Sequence, residues 1–152
     1  MTGEQIVPAP RAVVWQALND VEVLRECIPG CTELTHLTET KLQGKSVLRI
    51  GPIKATFSGR VVLGDIVPET SYSISGEGQG GVAGFAKGGA QVWLEDAGQD
   101  TKMTYLAKAD IGGKLAQLGS RLIDSTARKL ANEFFQKFAT VVASRNEAFN
   151  DK

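Results

Sequence analysis

The hydrophobic period changes once along this chain, and that change limits the fold more than any other feature. From Thr32 to Ile111 apolar residues alternate with polar ones, a pattern of period two that half-buried strands satisfy. After Gly112-Gly113 the period becomes helical and holds to about Ala143, which calls for a helix much longer than average. Turn signals at Glu39-Thr40, Gly51-Pro52, Pro68-Glu69-Thr70 and Ala97-Gly98-Gln99-Asp100 cut the first stretch into an antiparallel meander of about six strands. In one strand Leu42, Gly44, Ser46, Leu48 and Ile50 share a face opposite Lys41, Gln43, Lys45 and Arg49. The next sets Ile53, Ala55, Phe57, Gly59, Val61 and Leu63 against Lys54, Thr56, Ser58 and Arg60. The last sets Met103, Tyr105, Ala107, Ala109 and Ile111 against Lys102, Thr104, Lys108 and Asp110. One face is dry and one wet, as in an antiparallel sheet covered on a single side.

Before the meander, Glu4 to Val7 form a short strand, and Pro8-Ala9-Pro10 opens a helix that runs to about Asn19-Asp20, with Val14, Trp15 and Leu18 on one face. A second short helix, VEVLREC, ends at Pro29-Gly30. On the long terminal helix Gly119, Ile123, Thr126, Leu130, Phe134 and Val141 make the apolar stripe, with Leu115 and Leu122 on one shoulder and Ala127 and Phe138 on the other. Lys137 interrupts it, while Asp124–Arg128 and Glu133–Lys137 are helpful i,i+4 pairs. The fold class expected is α+β: a curved antiparallel sheet of about seven strands wrapped round a long C-terminal helix, with two short helices after the first strand. It forms a single domain over residues 1–145, followed by a polar tail, 146–152.

The 152 residues suit one core. Lys+Arg and Asp+Glu are both 17, so no basic excess points to nucleic acid. No leader-like N-terminus and no run of ~20 apolar residues is present, and the expectation is a cytoplasmic chain. Cys27 and Cys31 are spaced C-x-x-x-C, neither a redox C-x-x-C nor a zinc framework. With His36 they offer three ligand types, but Pro29-Gly30 reads as a plain turn between small buried thiols, and no metal is expected.

The dry face is lined with small residues: Gly44, Ser46, Ala55, Gly59, Gly76, Gly78, Ala86, Gly88, Ala90, Ala107 and Ala109. Such side chains cannot fill the space between a curved sheet and a helix. An empty cavity of roughly 300 Å³ would cost about 7 kcal/mol at ~24 cal/mol per Å³. The gap is therefore occupied by an apolar ligand, or it is closed by Phe57, Tyr72, Phe85 and Tyr105 swinging in. On the ligand reading its lining is Phe57, Gly59, Tyr72, Ile74, Phe85, Ala90, Val92, Tyr105, Ala107 and Ala109 from the sheet, with Gly119, Ile123 and Leu130 from the helix.

Between Gly76 and Gly89 half of the positions are glycine, and Gly76 to Gly81 satisfy G-x-G-x-x-G. No helix follows to offer its N-terminus to phosphate, so a flexible hairpin at the cavity mouth, or a plain mobile loop, explains the glycines better. Catalysis finds little support: there is no G-x-S-x-G elbow and no second histidine. Asp20 and Glu22 read as a helix end. Lys114, Arg121 and Arg128 recur every seven residues away from the stripe, as a solvated face or as a contact with acidic headgroups or a partner.

The segments VPAPRAVVWQALNDVEVLRECIPGCTEL, GPIKATFSGRV, GEGQGGVAGFAKGGAQVWL and TYLAKADIGGKLAQLGSRLIDSTARKLANEFF resemble the CoxG family of carbon monoxide dehydrogenase proteins, within the START/Bet v 1-like (SRPBCC, helix-grip) superfamily. W-x-x-L-N-D, C-I-P-G-C and A-D-I-G-G-K-L-A-Q-L-G carry the resemblance most specifically. It implies a non-catalytic accessory protein of a molybdenum-containing carbon monoxide dehydrogenase or a related xanthine-dehydrogenase-like hydroxylase. Such a protein would bind an isoprenoid quinone or lipid, with no covalent cofactor, and link the enzyme to the cytoplasmic membrane. Many relatives carry a longer apolar C-terminal extension, so membrane contact here would be peripheral. The alternatives are a helix-grip enzyme of cyclase or hydrolase type and a docking or assembly factor without ligand.

Overall fold

A computed structural model describes residues 1–150 of the chain, with side chains described through Glu147. Seven strands form one antiparallel sheet in the order β1-β7-β6-β5-β4-β3-β2. They are β1 (Thr2–Val7), β2 (Cys31–Thr38), β3 (Lys41–Ile50), β4 (Ile53–Val67), β5 (Ser71–Gln79), β6 (Phe85–Ala97) and β7 (Asp100–Gly112). Each strand from β2 to β7 pairs with its sequence neighbour, and β1 closes the far edge against β7. The expected α+β class and strand count hold, because alternation of period two survives along every long strand.

Two short helices, α1 (Arg11–Leu18) and α2 (Val21–Cys27), follow β1. Pro10 caps α1 with extended backbone, and its carbonyl accepts from the Val13 and Val14 N–H groups. Asp20 caps α2 by accepting from the Glu22 N–H at 2.9 Å, the helix-end role expected of it.

The terminal helix departs from expectation at both ends. A 3-10 stretch, Gly113–Leu118, comes first, and α3 runs from Ser120 to Asn150. Gly119 sits between them at φ 91° and ψ 151°, a region open essentially to glycine alone. Gly119 is therefore a break between two helices and not a member of the apolar stripe. At the other end α3 continues past Ala143. Arg145 bonds Asp20 at 2.7 Å, and the Asn146 amide donates to the Pro8 carbonyl, so residues assigned to a polar tail are helical through Asn150. The rest of that tail, 151–152, lies outside the described residues.

The solid core occupies one half of the space between sheet and α3. Val92, Leu94 and Met103 from the sheet meet Phe138 and Val142 from α3, with Val7, Val14, Ala17, Val23 and Cys27 closing the side. Trp15 meets Tyr72 edge-on at 5.5 Å, and Tyr105 stacks on Phe135 at 4.7 Å. The buried Thr101 hydroxyl donates to the Ala9 carbonyl at 2.7 Å.

Candidate functional site

The other half of that space is a cavity of about 360 Å³. Its floor is one cross-strand row, in which Leu34 is opposite Gly44, Gly44 opposite Gly59, Gly59 opposite Gly78, Gly78 opposite Ala86 and Ala86 opposite Ile111. Paired residues in an antiparallel sheet project to the same side, so this register assembles four positions with almost no side chain into one hollow. Leu48, Ile50, Phe57 and Val61 extend the floor. Leu115, Ile123, Thr126, Ala127 and Leu130 form the roof, and Ile28, Cys31, Glu33, Lys45 and Ser46 complete the wall. Apart from the Glu33–Lys45 pair at the wall and the hydroxyls of Ser46 and Thr126, the lining side chains are apolar.

Of the expected ligand-lining residues, Phe57, Gly59, Ile123 and Leu130 line this cavity. Tyr72, Ile74, Val92 and Tyr105 face the same side of the sheet but belong to the solid core. Ala90 and Ala107 are opposite each other on the concave face, outside the lining, as is Ala109. Phe85 is a correction: in β6 it alternates with the inward Ala86, Gly88, Ala90 and Val92, it is 45% exposed, and its ring lies over Gly112. Its size suggested an inward position that strand parity forbids. Gly119 is a second correction, since a side chain there would meet open space. The two expectations for the gap thus divide it. Aromatic rings close the half under the C-terminal part of α3, and the glycine row leaves the half under its N-terminal part open.

Sequence reasoning did not assign Leu34, Gly44, Ser46, Leu48, Gly78, Ala86 or Ile111 to the lining, nor Leu115, Thr126 and Ala127. Parity placed most of them on the dry face; the cross-strand register that joins them was missing.

The glycine-rich hairpin is a shaped turn and not a loose one. Residues Gly81–Ala83 make a 3-10 turn with Ala83 buried. A Cβ on Gly84 would collide with the Gly112 carbonyl oxygen, and one on Gly113 would stand 2.6 Å from the Gly84 Cα. The glycines thus let two backbones touch. The element that follows the G-x-G-x-x-G run is this three-residue 3-10 turn.

Cys27 is buried in the core, where desolvation and then the Glu26 charge push its thiol up to about 11, against the opposing Lys137 charge. Burial alone raises the Tyr72 hydroxyl well above the ordinary tyrosine range. Cys31 donates to the Glu33 carbonyl at 3.3 Å, and His36 Nδ1 lies 3.2 Å from the Thr38 carbonyl. Among the described residues no cluster of three or more metal-ligating side chains occurs. Lys137, which interrupts the helical stripe, reaches Glu26 on α2 at 3.6 Å, and neither expected i,i+4 pair is an ion pair among the described residues. Arg121 and Arg128 share the exposed outer face of α3. Lys114 does not join them, because the break at Gly119 ends their helical register. No helix among the described residues is long and apolar enough to cross a membrane.

Residues 3–143 match the family model that describes CoxG, a subunit of carbon monoxide dehydrogenase. A search of curated proteins found no match. Among solved structures, a conserved protein from Geobacillus kaustophilus is 28% identical with a TM-score of 0.88, each chain covered to 94%. A Thermus thermophilus protein is 14% identical (TM-score 0.73), covering 95% of this chain and 97% of its own. The Zhui aromatase/cyclase from a Streptomyces species is 13% identical (TM-score 0.65), covering 95% of this chain and 93% of its own. The last two likenesses show a Bet v 1-like helix-grip fold and nothing of chemistry.

Proposed function

The chain belongs to the CoxG family of carbon monoxide dehydrogenase proteins, and from that premise we propose that it serves a molybdenum-containing carbon monoxide dehydrogenase, or a related hydroxylase, as a non-catalytic accessory protein. It holds an apolar small molecule, an isoprenoid quinone or a lipid, under the N-terminal half of α3, and it meets the cytoplasmic membrane peripherally. The observation that carries this reading is the apolar cavity of about 360 Å³ over the Gly44–Gly59–Gly78–Ala86 row. Its size falls within the range of small-molecule sites. Burying about ten methylene-sized groups there would gain about 8 kcal/mol at ~0.8 kcal/mol each, part of which is offset by lost ligand freedom. The hydroxyls of Ser46 and Thr126 suit a molecule with a few carbonyl oxygens on an apolar body. The lining brings no histidine and no carboxylate pair together, which supports binding over catalysis.

Native mass spectrometry of the purified chain, before and after organic extraction, combined with titration of a short-chain menaquinone analogue, tests the reading. Cys31 lines the cavity, so bound quinone should slow its alkylation. A chain that neither carries nor binds quinone or lipid, and whose Cys31 labels at the same rate throughout, would sink the carrier reading.

A further inference from the structure

Cations and anions are equal in number, but their balance differs between the two ends of the sheet. The β3–β4 turn, the β5–β6 turn and the 3-10 stretch share one end: Gly51 lies against Leu122 of α3, and Gly84 against Gly112 and Gly113. This end carries Arg49, Lys54, Lys114 and Arg121, all exposed and none in an ion pair among the described residues. Arg49 and Lys54 are directly opposite each other across the hairpin, a like-charge pairing that works against stability. Lys87, nearby, is flanked across the sheet by Glu77 and Asp110, and Asp124 lies one turn further along α3. The N-terminus of α3 adds positive potential at the same end. The opposite end gathers Glu39, Asp65, Glu69, Glu95, Asp96 and Asp100, with Lys41 and Lys102 beside them and Arg11 tied to Asp96 at 2.7 Å. A chain of zero net charge is thus dipolar along its strands. At the apex of the basic end Val82 is 85% exposed, held out on the turn that the glycine contacts fix in shape.

We propose that this basic end is a docking surface for a bilayer containing anionic phospholipid, with Val82 entering the interface and Arg49, Lys54, Lys114 and Arg121 lying over the headgroups. The inference rests on the peripheral membrane contact proposed above and moves that contact from the outer face of α3 to one end of the molecule. The cations sit on two separate connections, the β3–β4 hairpin and the segment joining β7 to α3, and the apolar element is one side chain protruding from a third. A diffuse, deformable anionic surface matches that arrangement better than a shaped protein patch. The cavity then lies in the half of the molecule nearer the bilayer, since Leu48, Ile50 and Phe57 lie between its glycine floor and this end.

Co-sedimentation of the full chain with phosphatidylcholine vesicles, with and without phosphatidylglycerol, tests the proposal without any quinone. Binding should require phosphatidylglycerol and weaken with salt. Lys54→Glu should lower partition about fivefold or more while raising the melting temperature, because it turns a repulsive cross-strand pair into an attractive one. Val82→Asp should also weaken binding, and Arg128→Glu should leave it unchanged. Binding without anionic lipid, or equal losses for Lys54→Glu and Arg128→Glu, would overturn the proposal. Binding to polyglutamate but to no vesicle would also overturn it and assign the surface to an acidic protein. In each case the quinone titration still decides the carrier reading by itself.

Discussion

Replacing Gly78 by valine puts a branched side chain directly into the cavity. Gly78 is mid-strand in β5, without positive φ, and a Cβ there meets only the Ser58 carbonyl oxygen at 3.9 Å, ordinary contact distance. Gly59 is less suitable, since its Cβ would approach the Glu77 carbonyl oxygen to 3.1 Å. Removing a strand-interior glycine stabilises by roughly 0.5–1 kcal/mol through the unfolded chain. Burying a valine side chain against Phe57 and the roof of α3 adds up to about 1.5 kcal/mol. The expected gain is about 2 kcal/mol, which in a chain of this size raises the melting temperature by roughly 4–8 °C. The same side chain removes ligand volume, so quinone affinity should fall by about tenfold or more, equivalent to ~1.4 kcal/mol. Calorimetry with and without the menaquinone analogue reads both effects together. A Gly78→Val protein that melts lower than the parent, or that binds the analogue with undiminished affinity, would refute the placement of the cavity over the glycine row.

Two further substitutions probe the ends of α3. Gly119→Leu should destabilise by about 1–3 kcal/mol, because only glycine occupies that backbone region comfortably, and ligand affinity should not change; weaker binding would put Gly119 back in the lining. The Arg145 guanidinium, helped by the Glu22 N–H, holds the Asp20 carboxyl below its usual value of 3.8 despite partial burial. A depressed folded-state value means that the pair stabilises above pH ~4 and that its contribution fades as pH falls through the folded value. Arg145→Ala should therefore cost less than about 1 kcal/mol at neutral pH, both partners being partly solvated, and progressively less as pH falls below ~4; urea melts over a falling pH series should show the gap between the two proteins narrowing.

The alternation in β3, β4 and β7 was legible because those strands are wet on one side and dry on the other, so each side chain reports its face. The long helix was legible for the same reason at its own period. Register was not legible, because Gly44, Gly59, Gly78 and Ala86 lie far apart in sequence and only the length of each connection brings them into one row. At Phe85 ring size argues for burial and strand parity for exposure, and parity wins. At Gly119 the helical period continues numerically through a residue whose backbone leaves the helix. Tyr72 and Tyr105 lie against the core on the concave face, yet nothing in the residues themselves tells that α3 answers Tyr105 with Phe135 and leaves the glycine row without such a partner.

The hydrogen-bond ladder of α3 rests on two unlike foundations. Near Phe138 and Val142, both fully buried, each turn is backed by packed side chains, and truncating Phe138 to alanine would cost about 3–5 kcal/mol. From Ile123 to Leu130 the turns are backed by a hollow. Amide protons in the first segment should exchange with solvent only when the whole domain opens, whereas those in the second should exchange through partial openings of lower free energy. On that expectation a single uninterrupted helix carries a gradient of local stability along its axis, and amide exchange should show it falling off between Leu130 and Phe134.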